Sequence, residues 1–444
     1  MSRAQKFLKD NGFDVEAIAP AELLRAFDRE MSAGLKGRPA SLPMIPSFIP
    51  IDQPAPAGCS VIVLDAGGTH LRAATVHFDA SGRPAIGDLV RRAMPGSESA
   101  ITAEAFYEAL ADLVEPLAGA AGELGFCFSY PADITPQCDA RLVRWTKQIQ
   151  APTVVGTLLG SGLAARLDRR GLHLRVTVLN DTVATLLAGK SASRTRGYAA
   201  YAGFILGTGT NTAIVVRHER LRKIAGLPPS GSMAVNVESG SFALAPRSRF
   251  DDVFDATTSD PGSYPFEKMI SGAYLGGIGL VMLKAAAREG LFSASAARGL
   301  LAWRTLANKE LDDFCHDPAR TDGPFAALTL NAEDRGLAVD LGTAVYARAA
   351  RFAAINIAAA MIETANGCDP RRPVAMTIDG STFYRTLTAG FGARIEAHVR
   401  GMLAPRGIEC DLLNIEHAPI IGAAVAGLAC RYRIQADGNR SGRS

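Results

Sequence analysis

One pattern occurs once in each half of the chain: a β-rich run, a tight turn of glycine and threonine, then a second β-rich run. Val61-Ile-Val-Leu enters Asp65-Ala-Gly-Gly-Thr, and Leu71 to Phe78 leaves it. Far downstream, Tyr201-Ala-Gly-Phe-Ile-Leu enters Gly207-Thr-Gly-Thr-Asn, and Ala213-Ile-Val-Val leaves it. With no short-period repeat between them, the recurrence points to a duplicated lobe. Size agrees, because 444 residues are too many for one compact core and suit two lobes.

The rest of the pattern predicts an α/β chain. Ala21 to Met31 carries Leu23, Leu24, Phe27 and Met31 near helical spacing, and a Pro-rich connector from Pro39 to Pro56 ends that pattern. Strands are expected at Leu124 to Phe128, at Val176 to Leu179 and in Ala375-Met-Thr-Ile-Asp-Gly-Ser. Helices are expected at Ala103 to Pro116 and Val155 to Arg170, with mainly helix from Phe254 to Arg320. Val345 to Ala365 reads as an amphipathic helix with Phe352, Ile355, Ala359 and Ile362 on one face, stopped by Asn366-Gly367. Ile420 to Cys430 reads as a small-residue helix, and fraying is expected from Asp437.

Charge and cysteine usage exclude some partners. A formal net charge of +3 gives no reason to expect nucleic acid or an anionic membrane. Seven cysteines, at 59, 127, 138, 315, 368, 410 and 430, include no C-x-x-C pair, which argues for reduced thiols. The start, Met1-Ser-Arg-Ala-Gln-Lys-Phe-Leu-Lys-Asp, lacks the apolar run of a secretory signal. The longest uncharged helical run, Phe352 to Ile362, is too short to cross a bilayer. A soluble, cytoplasmic protein is expected.

Three sets of residues carry chemistry. A glycine turn between strands lets backbone N–H groups approach phosphate oxygens, and Asp65 before the first turn could orient Mg²⁺ through water. Among 44 glycines a single such turn is more often a plain hairpin; two in separate halves shift the odds. Neither turn matches a Walker A loop or a dinucleotide fingerprint. The second set is Asn180-Asp181-Thr182, at the junction of a Val-rich strand and a helix. Alone it reads as a helix cap at Asp181 or Thr182; at a crevice, the carboxylate could accept a hydroxyl proton. The third set is Ser129, Thr146 and Lys147 in Phe128-Ser-Tyr-Pro and Arg144-Trp-Thr-Lys, with Asn211, Glu238 and Glu267 as further polar groups. Together they offer the dense hydrogen bonding that a polyhydroxylated ligand needs, although each glutamate alone would be read as a solvated charge.

Taken in order, these segments resemble the hexokinase family. The resemblance is carried by Leu64-Asp-Ala-Gly-Gly-Thr-His-Leu-Arg, Phe128-Ser-Tyr-Pro, Trp145-Thr-Lys and Asn180-Asp-Thr-Val. It continues through Gly207-Thr-Gly-Thr-Asn, Asn236-Val-Glu-Ser-Gly, Phe266-Glu-Lys-Met-Ile-Ser-Gly and Asp379-Gly-Ser, and covers about Phe27 to Ala429. It implies the actin-like ATPase (ribonuclease H-like) fold, with two lobes closing over a hexose and ATP with Mg²⁺. The implied small lobe is residues 58–187 with a helix at 420–434; the large lobe is 1–57 and 188–419, with 435–444 as a tail.

By the same resemblance Asp181 is the base for the sugar 6-hydroxyl, and Lys147 balances charge on the transferring phosphoryl group. Ser129, Thr146, Lys147, Asn180, Asp181, Asn211, Glu238 and Glu267 would hold the hexose. Asp65, Gly67, Gly68, Thr69, Arg72, Gly207, Thr208, Gly209, Gly380 and Ser381 would line the ATP site. No dedicated protein cage for metal is implied; Mg²⁺ would come with ATP, near Asp65 and Asp181. The protein would act as a monomer or homodimer. Four positions depart from the family pattern: His70 for Asn, Tyr130 for Phe, Gln148-Ile149 for Gly-Phe, and Ser239 for Trp. Gln148 and Ser239 stand beside sugar residues in the sequence and bear on substrate range. Two other readings stay open: a kinase for another hexose such as fructose, mannose or glucosamine, and a non-catalytic sugar sensor. Retention of Asp181, Lys147 and both glycine turns argues against the sensor.

Overall fold

The computed structural model describes residues 1–53, 56–68, 70–146, 149–192, 197–365 and 368–441, with side chains described to residue 430 except at 192. Ahead of residue 181 lie β1 (Ile45–Pro50), β2 (Cys59–Gly67), β3 (His70–Phe78), β4 (Pro84–Ala93), β5 (Glu123–Phe128), β6 (Ala132–Ile134), β7 (Ala140–Leu142) and β8 (Arg175–Leu179). Beyond it lie β9 (Ala200–Leu206), β10 (Thr210–Arg217), β11 (Ser232–Asn236), β12 (Val374–Asp379) and β13 (Cys410–Asn414).

Among the described residues two main sheets form, in the orders β4-β3-β2-β5-β8 and β1-β11-β10-β9-β12-β13. In the first, β2, β3 and β4 run antiparallel in sequence, and β2, β5 and β8 run parallel. In the second, β9, β10 and β11 repeat the antiparallel set, and β9, β12 and β13 repeat the parallel one. With β1 set aside, the two topologies are the same, which is the duplication that the two glycine turns signal. The fold is the two-lobed actin-like ATPase α/β architecture. Central β2 is buried along almost its whole length and edge β4 is largely exposed, as expected of a covered strand and a solvent edge.

Two helices join the halves. The helix Asp181–Ala192 leaves β8 and packs on β9, β10 and β12, so the lobe boundary expected at 187/188 falls inside it. The C-terminal helix Ala418–Ser441 packs on β2, β5 and β8 and also along Asp181–Ala192. Gly422 explains its small-residue character, because a Cβ there would run into the Ala184 carbonyl. This helix includes the stretch from Asp437 expected to fray, continuing as backbone to Ser441.

The amphipathic reading of Val345 to Ala365 is corrected. The helix is Ala332–Ala365, and from Phe352 to Met361 every residue is buried, whichever way it faces. An α-helix enclosed on all sides has no polar stripe to show. By length and composition it could cross a membrane, but 83% of its most apolar window is buried inside the protein, where it is the core helix of the large lobe. Its expected stop, Asn366-Gly367, lies outside the described residues. Buried Arg348 on this helix pairs bidentately with buried Asp251, at 2.6 Å for each bond, and stacks 3.8 Å over Phe13.

Candidate active site

Strand register sets the site. Asp65 on β2 pairs with Cys127 on β5, which pairs with Leu179 on β8, so three parallel strands end at one level. The Gly67–Gly68 turn, Ser129 and Asn180–Asp181 therefore leave the first sheet along one edge. In the second sheet Ile205 pairs with Asp379, so the Gly207 turn and the Gly380 turn leave side by side. Gly380 has φ 117°, and a Cβ would collide with the Leu206 carbonyl; only glycine lets these two turns touch. Thr382 Oγ1 and the Gly272 N–H both donate to the Gly207 carbonyl at 2.8 Å, tying in the Phe266 to Gly272 segment.

Between the two edges opens a cleft of about 1240 Å³. Ser129, Thr146, Asn180 and Asp181 line one wall, and Thr208, Gly209, Asn211, Glu238 and Glu267 line the other. Seven of the expected sugar residues thus meet across one space. Lys147 and Thr69 lie outside the described residues, as does Gln148.

Asn180 proves to be the helix cap in place of Asp181 or Thr182. Its Oδ1 accepts the Thr182 N–H at 2.9 Å, and the helix begins at Asp181. The cap leaves the Asn180 amide group as the donor to offer a ligand, while Asp181 accepts Thr182 Oγ1–H at 3.2 Å. Opposite, Glu238 Oε1 accepts from Asn236 Nδ2 at 2.7 Å and Asn211 Nδ2 at 3.1 Å. Burial pushes the Glu238 carboxyl up, the two asparagine amides hold it down, and Asp181 adds repulsion. Glu267 Oε2 accepts the Thr210 N–H at 2.8 Å, and Tyr274 donates to Oε1 at 3.4 Å.

A second polar group forms where the glycine turns approach each other. Arg72 donates Nε–H to buried Asp65 at 2.7 Å, so the two phosphate-side residues are one ion pair. Burial pushes the Asp379 carboxyl up against the opposing Gly380 N–H and Arg72, and Asp65 repels it from the other lobe. The Cys127 thiol, pushed well up by burial first, also feels the carboxylates of Asp65 and Asp181. Two acids and a guanidinium therefore stand beside backbone N–H groups, an arrangement that suits a phosphate chain and its counter-charge.

Two of the four departures, Tyr130 and Ser239, make side-chain contacts that account for them. Tyr130 packs edge-on against Trp145 at 5.0 Å and donates its hydroxyl to the Gly68 carbonyl, a bond that phenylalanine cannot make. Ser239 follows Glu238 in sequence, yet its side chain is fully buried and bonded to Thr212 and Asn356, facing away from the cleft. Ser239 is therefore a sequence neighbour of a sugar residue without lining the cleft. Sequence reasoning missed Asn236, although it heads a quoted motif, and Tyr264 and Arg144. Arg144 donates to the Tyr264 hydroxyl from the opposite wall and lies 5.6 Å from the ring centre.

Twin sheets with glycine turns facing a polar cleft define a two-lobed phosphotransferase of the actin-like ATPase class. Two hexokinase family models match the chain, one over residues 4–191 and one over residues 201–429. Hexokinase-1 of rice (Oryza sativa subsp. japonica) is 31% identical over 448 residues, covering 93% of this chain and 88% of that protein. Human hexokinase-3 is 30% identical over an alignment of 441 positions, covering 94% of this chain and 46% of that protein. A solved structure of hexokinase from Schistosoma mansoni complexed with glucose aligns with a TM-score of 0.77 at 24% identity, covering 97% of this chain and 100% of that one. The chain belongs to the hexokinase family and is a hexose kinase.

Proposed function

We propose that this kinase transfers the γ-phosphoryl group of ATP to the 6-hydroxyl of D-glucose, giving glucose 6-phosphate and ADP, the first step of glycolysis, in the cytoplasm. It works as a monomer or homodimer. The observation that carries the reading is Asp181, at the end of β8, facing the Asn211–Asn236–Glu238 cluster across the cleft, with the glycine turns adjoining.

In this mechanism Asn211, Glu238 and Glu267 on one wall, with Ser129, Thr146 and Asn180 on the other, hold the sugar hydroxyls, and Lys147 joins them by the family resemblance. Asp181 accepts the 6-hydroxyl proton as the oxygen attacks the γ-phosphorus, and the bond from that phosphorus to the ADP oxygen breaks. Lys147 and Arg72 offset charge on the phosphoryl oxygens, and Gly67, Gly68, Thr69, Gly207, Thr208, Gly209, Gly380 and Ser381 seat ATP. Among the described residues no three or more His, Cys, Asp or Glu side chains group into a metal cage. Asp65, already held by Arg72 at 2.7 Å, and Asp181 are oxygen donors of the kind Mg²⁺ prefers, so they would hold Mg²⁺ carried by ATP, which would neutralise charge on the phosphate oxygens.

A coupled ADP-release assay with Mg-ATP and glucose, mannose, fructose, glucosamine or no sugar tests the proposal. Glucose-dependent release exceeding that with the other sugars is expected. Glucose binding by calorimetry with no stimulated release would overturn the kinase in favour of a sugar sensor.

A further inference from the structure

Behind the Asn211–Glu238 wall lies a closed ring of three hydrogen bonds that touches no part of the cleft. Asn356 Nδ2 donates to Ser239 Oγ at 3.0 Å, and Thr212 Oγ1 donates to Asn356 Oδ1 at 3.1 Å. The remaining bond, Ser239 Oγ to Thr212 Oγ1 at 2.9 Å, must then have Ser239 as its donor. Each hydroxyl gives one bond and takes one. All three side chains are buried, so water cannot substitute for a missing member.

The ring holds the backbone that faces the cleft. The N–H groups of Thr212 and Ser239 both donate to Asn211 Oδ1, at 2.7 and 3.3 Å. With its oxygen taken from behind, Asn211 can only turn its amide nitrogen forward, towards Asn236 Oδ1 at 2.8 Å and Glu238 Oε1. Glu238 itself sits at φ 56°, ψ 46°, a left-handed conformation that is costly for glutamate and persists only when its neighbours enforce it. Ser239, next in the chain, is fastened through both its N–H and its side chain.

We infer that Asn356, Ser239 and Thr212 are a positioning unit that sets the amide orientation of Asn211 and the strained backbone of Glu238, and through them hexose affinity. This rests on the proposed sugar site. In this chain Ser239 joins a hydrogen-bonded support that the tryptophan of the family pattern could not complete, because its one donor cannot also accept.

The test uses Thr212→Val, which removes the hydroxyl at nearly constant shape, against Thr212→Ser, which keeps it. Ser239→Ala serves as a second hydroxyl deletion should Thr212→Val fold poorly. Hydrogen exchange of the peptides around 211–212 and 236–242 reads the support itself, and glucose calorimetry reads its consequence. Thr212→Val should speed exchange in both peptides and weaken glucose about tenfold, with ATP affinity within twofold of wild type. Thr212→Ser should stay within threefold on every measure. Equal effects from the two variants, or unchanged exchange in Thr212→Val and Ser239→Ala, would overturn the inference. If wild type binds no glucose, the sugar-site reading fails, while the exchange data still decide whether the ring positions Asn211 and Glu238.

Discussion

Replacing Glu238 by glutamine separates binding from stability. A glutamine oxygen can keep the position of Glu238 Oε1, so the bonds from Asn236 at 2.7 Å and Asn211 at 3.1 Å survive as neutral ones. What is lost is the charge, together with the second oxygen as acceptor for a sugar hydroxyl. A hydrogen bond to a charged group contributes about 1.5 to 3 kcal/mol. At about 1.4 kcal/mol per factor of ten, glucose should bind roughly 10- to 150-fold more weakly. Stability should move the other way. Burial, with Asp181 across the cleft, raises the Glu238 carboxyl above its usual range. The folded protein therefore holds that proton more tightly, and the associated stability is present at acid pH and lost as pH rises through the raised value. At neutral pH the ionised carboxylate is a cost that glutamine removes. Calorimetry with glucose in a series of decreasing pH from 7.5, beside thermal melts, checks both. Wild type should lose affinity as pH falls through the raised value and the acceptor is protonated, whereas Glu238→Gln should be nearly indifferent. Glucose affinity within twofold of wild type at pH 7.5 would refute the reasoning, as would a melting temperature that falls along with affinity.

Asp181→Ala should keep glucose binding and lose about 10²- to 10⁴-fold in kcat, the usual contribution of a general base; near-normal turnover would sink that assignment. Arg144→Ala removes a bond across the cleft and a cation–π contact generally worth about 0.5 to 1 kcal/mol at exposed sites. The KM for glucose should rise roughly two- to fivefold, with Tyr264→Phe intermediate; an unchanged KM in both variants would discard the contact as incidental. Arg348→Met should cost about 3 to 5 kcal/mol in urea unfolding, because it strands buried Asp251. Burial alone would raise the Asp251 carboxyl, but Arg348 and Ser248 hold it below its usual range. Wild type should accordingly lose this stability as pH falls through that lowered value, and a loss under about 1 kcal/mol in the variant would contradict the ion-pair assignment.

Much of the site was legible because its chemistry is written in short contiguous segments. Asp65 with its glycines, Asn180-Asp181, and Gly207 to Asn211 each stand at the end of a strand, where residue type and turn chemistry coincide. Asn356 was invisible as a partner of Ser239, because 117 residues separate them and nothing local to either marks the pairing. The Ala332–Ala365 helix was half missed for a related reason. Its amphipathic reading assumed an exposed face, and burial on every side erases the periodicity on which such a reading depends.

Residue order alone determined the duplicated strand–turn–strand units, the family and the residue types that face the cleft, since these follow from local propensity and short motifs. Only tertiary structure decided that Asn180 caps the helix, that Arg72 pairs with Asp65, that Tyr130 ties down the Gly68 turn, and that Ser239 faces the core. Those outcomes depend on which polar groups, brought together from distant segments, must satisfy one another once water is excluded. Hydrogen-bond partners are chosen by proximity in space, and a linear pattern does not carry that distance.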